Sequence, residues 1–107
     1  MITVDIYPGT TDIQISCSRN DFERIKGYPS KGAIRNWEYI LRRYFEDYRN
    51  ETPSTKYPLT PYQQWVLLII HQEFKSWKNN DTRLGEIKAW VKKNKEKIRK
   101  EIYDANQ

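Results

Sequence analysis

The chain has 107 residues, a net charge of +5 and a single cysteine. That length gives one domain with a modest core, and an aromatic content of 14% supplies that core with large rings. A lone Cys17 excludes an intramolecular disulfide, and no apolar run spans a bilayer or follows a basic N-terminus, so a cytoplasmic protein without a membrane segment is expected.

The charge is unevenly placed. Residues 1–60 carry nine Lys/Arg and eight Asp/Glu, whereas residues 61–107 carry ten and six. The basic excess therefore belongs mainly to the C-terminal part, and a pI of 9.3 suits an acidic protein partner or nucleic acid. A moderate positive charge also serves plain solubility.

Ile2, Val4 and Ile6 alternate with Thr3, Asp5 and Tyr7, and Ile13, Ile15 and Cys17 alternate with Gln14 and Ser16. Period two is the strand period. Between the two runs, Pro8 fixes φ and Gly9 admits positive φ, as a turn requires. The expectation is a β-hairpin over residues 2–17 whose apolar face lies on helices. Its outer edges would accept a strand from a partner or from a second copy. Cys17 falls on the inward face as a small core residue.

Ser18 is placed to cap a short helix over residues 19–26, with Phe22 and Ile25 as its apolar positions. Gly27 suits the position after its end, and Pro29 forbids continuation. Ser30 caps a second helix over residues 31–49. Ile34, Trp37, Leu41, Tyr44 and Tyr48 recur every three or four residues, widened by Ile40 and Phe45. The other face shows Arg35, Tyr39, Arg42, Glu46 and Arg49. Residues 50–59 hold two prolines and four hydroxyl or amide residues, which marks a loop. It is long for a helix–helix connection, so it reads as a surface connector or a binding loop.

Thr60 to Trp77 carries the clearest start signal in the chain. Thr60 is the N-cap, Pro61 the first helical residue, and Gln63 completes a capping box. The six residues Trp65 to Ile70 are all apolar and would cover almost every side of a helix, so this helix must be surrounded. Val66, Ile69 and Ile70 would also suit a buried strand, but the cap and the continuing pattern through His71, Phe74 and Trp77 favour a central helix over residues 61–78. A last helix over residues 83–103 aligns Leu84, Ile87, Val91, Ile98 and Ile102 within about 60° on a wheel. Leu84, Val91 and Ile98 are seven apart with Asn94 on the same stripe, the pattern of a short coiled coil, so a homo-oligomer through this helix or the hairpin edge is a further expectation. The fold class expected is α+β: an N-terminal hairpin packed on a small bundle of three to four helices.

Chemical motifs are sparse. There is no glycine-rich phosphate loop, no cysteine pair for a metal and no HExxH. His71 and Cys17 lie 54 residues apart, and each reads as a packed residue rather than half of a catalytic dyad. His71-Gln72-Glu73 lacks the downstream cysteines that a zinc deaminase needs. Glu73-Phe74-Lys75 and Glu86-Ile87-Lys88 match an ExK nuclease pattern, but both fall on helices. Glu46-Asp47 reads as salt-bridge partners of neighbouring arginines. No catalytic residue, metal ligand or cofactor is assigned.

The positive signal is the C-terminal helix. Seven Lys/Arg lie between Lys88 and Lys100 against one acid, Glu96. Lys88, Lys92, Lys95 and Arg99 form one flank; Lys93 and Lys97 form the other, beside Trp90. Arg35, Tyr39, Arg42, Arg43 and Arg49 offer a second basic surface with a ring for stacking or cation–π contact. Such faces attract phosphate or carboxylate, although lysines late in a helix also complement its dipole. The first reading is a non-enzymatic binding module, an adaptor, inhibitor or assembly factor, using these surfaces on an acidic protein partner. The alternative is non-specific nucleic-acid binding through the phosphates by the lysine-rich helix. A small metal-dependent nuclease ranks third.

Overall fold

A computed structural model describes residues 15–25, 27–74 and 84–106. The central element is α4, Pro61–Phe74. Its start is the capping box the sequence announces: the Thr60 hydroxyl accepts the Gln63 amide at 3.1 Å, and Gln63 Oε1 accepts the Thr60 amide at 3.0 Å. Every residue from Tyr62 to Ile70 is buried. A helix apolar on all sides has to be covered on all sides, and here three other helices do so.

Those helices are α2 (Lys31–Tyr44), α5 (Leu84–Asn94) and α6 (Lys100–Ala105). Trp37 of α2 meets His71 with ring centres 6.2 Å apart, Trp90 of α5 meets Phe74 at 6.3 Å, and Tyr103 of α6 meets Tyr62 and Trp65 at 5.5 and 5.4 Å. Trp37, Trp65 and Tyr62 are almost fully buried, and burial of each such side chain contributes about 1.5–3 kcal/mol. Two glutamines lie inside this core, and both are satisfied. Gln63 Nε2 donates to Tyr48 O and Thr52 Oγ1, and Gln64 Nε2 donates to the carbonyls of Ile15 and Leu59.

The α+β expectation is corrected. The described residues form six α-helices, and their only β feature is one isolated antiparallel bridge between Cys17 and Leu59. Most of the expected hairpin, residues 2–14, lies outside the described residues. Its last residues do not follow the strand pattern. Ile15 is 76% exposed instead of inward, and Cys17 is half-buried, exchanging both backbone hydrogen bonds with Leu59 of the long loop. Two-residue alternation over so short a run cannot tell a ladder from a segment that makes a single bridge. The fold is mostly helical.

Two expected helices are also broken. The second ends at Tyr44, because Phe45 takes an extended backbone (φ −133°, ψ 103°) and buries its ring; the chain resumes as α3, Glu46–Arg49. The last helix ends at Asn94, passes through a 3₁₀ turn at Lys95–Lys97, and restarts as α6. Three tertiary bonds hold that break. The Tyr62 hydroxyl donates to Ile98 O, the Asp47 carboxylate accepts the Lys100 amide at 2.9 Å, and the Lys100 ammonium pairs with Glu51 at 3.5 Å. Like charges three and four apart, such as Lys88/Lys92 and Lys93/Lys97, already weaken a continuous helix there. Val91 and Ile98, proposed for a coiled-coil seam, are fully buried in the core, and Asn94 donates back to Trp90 O.

The short helix α1 (Arg19–Glu23) and α2 begin at the expected caps: Ser18 and Ser30 side chains accept the amides of Asp21 and Ala33. Gly27 between them has φ 83°, where a Cβ would be strained. No helix among the described residues is long and apolar enough to cross a membrane.

Candidate anion-docking site

The cations of α2 converge. Lys31, Arg35, Tyr39 and Arg43 follow one another at four-residue spacing along one side of the helix, which puts them in a row. With Arg19, Glu38, Arg42 and Thr55 they line a groove of about 600 Å³. Tyr39 stands at its rim, 65% exposed.

One carboxylate lies in this groove, and it is fully engaged. Glu38 Oε1 accepts from Arg19 Nε at 2.6 Å, and Oε2 accepts from Arg19 Nη2 at 2.8 Å and from the buried Tyr48 hydroxyl at 2.7 Å. Glu38 is nearly inaccessible and Arg19 is 18% exposed, so the pair is a bidentate, largely desolvated bond. The Arg19 guanidinium, bonded to Glu38, is held even more firmly charged than usual, while burial pushes the Tyr48 phenol far above its ordinary value. With Arg19 and Glu38 cancelling, Lys31, Arg35, Arg42 and Arg43 form no ion pair with an acidic group among the described residues, although the Glu23 carboxylate accepts the Lys31 amide at 3.0 Å.

Arg42 has a structural duty as well. Its guanidinium donates to Thr52 O, Thr52 Oγ1 and Ser54 O, and its Nε is buried without an acceptor. Arg19 Nη1 reaches Tyr57 O at 2.7 Å. The loop over residues 50–59 is thus fastened by two arginines, by Gln63 and by the Cys17–Leu59 bridge, and it forms a wall of the groove. Arg42 and Arg19 position this wall, whereas Lys31, Arg35 and Arg43 are the exposed cations.

The C-terminal cations are dispersed. Lys88 and Lys92 point at the Tyr44 ring, 4.6 and 4.9 Å from its centre, and Arg43 approaches the same ring at 5.9 Å. Its hydrogen bond to Lys88 draws the Tyr44 phenol below its ordinary value, against some desolvation and with help from Arg43. Lys95, Arg99 and Arg49 line a second depression of about 460 Å³ with Glu46, Asp47 and Glu96. There Arg99 pairs with Glu96 at 2.9 Å and Arg49 with Glu46 at 3.7 Å, so the charge is largely balanced. Lys93 and Lys97 are exposed and line neither hollow. Trp90 is half-buried with its ring edge on Phe74, a packing role rather than a stacking surface.

Sequence reasoning grouped Arg35, Tyr39, Arg42, Arg43 and Arg49 on one surface; Arg49 instead lies on α3 and lines the other depression, and Arg19, Lys31 and Glu38 were passed over. Lys31 was legible as the next residue back in the four-residue row. Glu38 carried a signal too: at about 100° per residue it lies about 40° from Ile34, inside the buried arc. A carboxylate there needs a buried cation, yet nothing local names Arg19 as that cation. Neither His71 nor Cys17 lines the groove, and among the described residues no group of three or more His, Cys, Asp or Glu is placed to hold a metal ion.

These features define a small helical domain with a basic groove on its second helix. No protein-family model, curated protein or solved structure matches the chain.

Proposed function

We propose that this chain is a non-enzymatic binding module, acting in the cytoplasm, that docks an anionic partner in the basic groove of α2. One observation carries the reading: several cations converge on a concavity whose only carboxylate among the described residues has both oxygens taken by internal donors. A surface that merely keeps a protein soluble does not need its cations gathered in a hollow. Arginine forks favour bidentate contact with carboxylate or phosphate, and the α2 arginines outnumber its lysines in this groove. The working surface is therefore centred on Arg35, Tyr39 and Arg43, with Lys88 and Lys92 extending it past Tyr44, rather than on the whole lysine-rich C-terminal segment.

The test compares charge reversals. Binding to labelled heparin, polyglutamate and oligonucleotides is measured at low and moderate salt. The double variant Arg35→Glu/Arg43→Glu is expected to lose at least about tenfold in affinity for whichever polyanion binds, with a weaker salt dependence. Lys93→Glu/Lys97→Glu is expected to change affinity less than about threefold, since those charges sit outside the groove. Equal losses from both pairs would refute a localised site.

A further inference from the structure

The groove on α2 does not end at its own rim. Beyond Lys31 it adjoins a depression of about 260 Å³ that shares Arg19 and Lys31 and adds Asn20, Lys56 and Tyr57. Beyond Arg43 it adjoins the depression that holds Tyr44, which shares Arg43 and is closed to a polyanion by Glu46, Asp47 and Glu96. Three hollows thus adjoin one another through shared lining residues. Each contains a tyrosine. Tyr57 is 50% exposed, Tyr39 is 65% exposed, and Tyr44 is half-buried under its lysines.

The shared walls are cations. Lys31 stands where the first hollow meets the second, and Arg43 where the second meets the third. Arg35 and Arg43 bracket Tyr39 one helical turn away on either side. The result is an alternation of open ring and positive charge, closed at one end by Arg43, Lys88 and Lys92 gathered around Tyr44.

This alternation decides between anionic partners. An acidic protein segment would use the cations but has no general need of two exposed rings between them. A nucleic-acid duplex presents phosphates and keeps its base faces stacked inside, so Tyr39 and Tyr57 would find nothing to stack on. A single strand offers both: a charged backbone and free base faces at intervals along it, which is how sequence-tolerant single-strand binders work. We infer that the α2 groove and the adjoining hollow beside Tyr57 form a track for single-stranded nucleic acid, with phosphates on Lys31, Arg35 and Arg43 and, at the Tyr44 end, on Lys88 and Lys92, and with bases on Tyr39 and Tyr57. The inference rests on reading the α2 groove as the anion-docking site and adds the class of ligand.

The test uses the full chain, a fluorescent single-stranded oligo(dT) of about a dozen nucleotides, the duplex of the same length, and labelled polyglutamate. The single strand is expected to bind at least about tenfold more tightly than either of the others. Tyr39→Ala and Tyr57→Ala are each expected to weaken single-strand binding by between about five- and a hundredfold while leaving polyglutamate binding unchanged. Both rings are exposed, and an unchanged melting temperature confirms that the variants are folded. Duplex bound as tightly as single strand, or tyrosine variants with no selective effect, would overturn the inference while leaving a general anion-docking groove in place. Failure of every polyanion to bind at low salt would overturn both.

Discussion

The two basic tracts of this molecule differ in what surrounds their charge. Along α2, Lys31, Arg35 and Arg43 open onto one concavity whose carboxylate faces inward to Arg19 and Tyr48. Between Lys88 and Lys100 the cations scatter: two lie against a tyrosine, two are paired or opposed by acids in a hollow lined by three carboxylates, two are exposed outside it, and Lys100 pairs with Glu51 and Asp104. The C-terminal tract is the denser in sequence and the more scattered in space. Charge density along a chain locates a polar surface; convergence in space, with no counter-charge left over, is what makes a docking site.

The largest break in that comparison comes from removing the inward carboxylate. Glu38→Ala leaves Arg19 largely buried without its partner and the Tyr48 hydroxyl without an acceptor. Breaking a buried pair in this way is expected to destabilise by about 3–5 kcal/mol, a large share of the stability of a small domain. Chemical denaturation checks it. A loss below about 1 kcal/mol would mean that the pair is solvated and the groove is not built on it.

High pH attacks both tracts at their buried phenols. Burial holds Tyr48 beside α2 well above its ordinary value, and holds Tyr62 and Tyr103 beside α6 above theirs. A raised folded pKa means that the unfolded chain loses its proton first. The stability these groups contribute is complete below the unfolded value near pH 10 and is lost as pH rises beyond it, at about 1.4 kcal/mol per pH unit for each such tyrosine. Denaturation midpoints measured on either side of pH 10 are expected to fall on the alkaline side, and Tyr48→Phe should make that fall shallower.

The smallest change sharpens the contrast. Asp47→Ala removes the acceptor of the Lys100 amide at the start of α6, a capping loss of about 1 kcal/mol. It should loosen the C-terminal tract, seen as faster amide exchange over α6, and leave polyanion affinity within about twofold, because the α2 groove is untouched. A large loss of affinity would instead tie docking to the C-terminal tract.

Much of this fold was readable. The caps at Ser18, Ser30 and Thr60 and the central apolar helix all appear where the residue pattern puts them. Each is a matter of contacts within one helical turn, so the local sequence contains both partners. The expected hairpin and the unbroken second and last helices misled because their outcome depends on remote partners. Arg19 finds Glu38 at a separation of 19 residues, Gln64 finds Ile15 at 49, and Asp47 finds Lys100 at 53. Sequence alone determined which segments are helices, how they start and which faces are apolar, since backbone capping and side-chain periodicity act over three or four residues. Tertiary structure alone decided where two of those helices break, which carboxylate is silenced and which cations share a hollow. Those outcomes are set by desolvation and pairing between groups that meet only once the chain has folded.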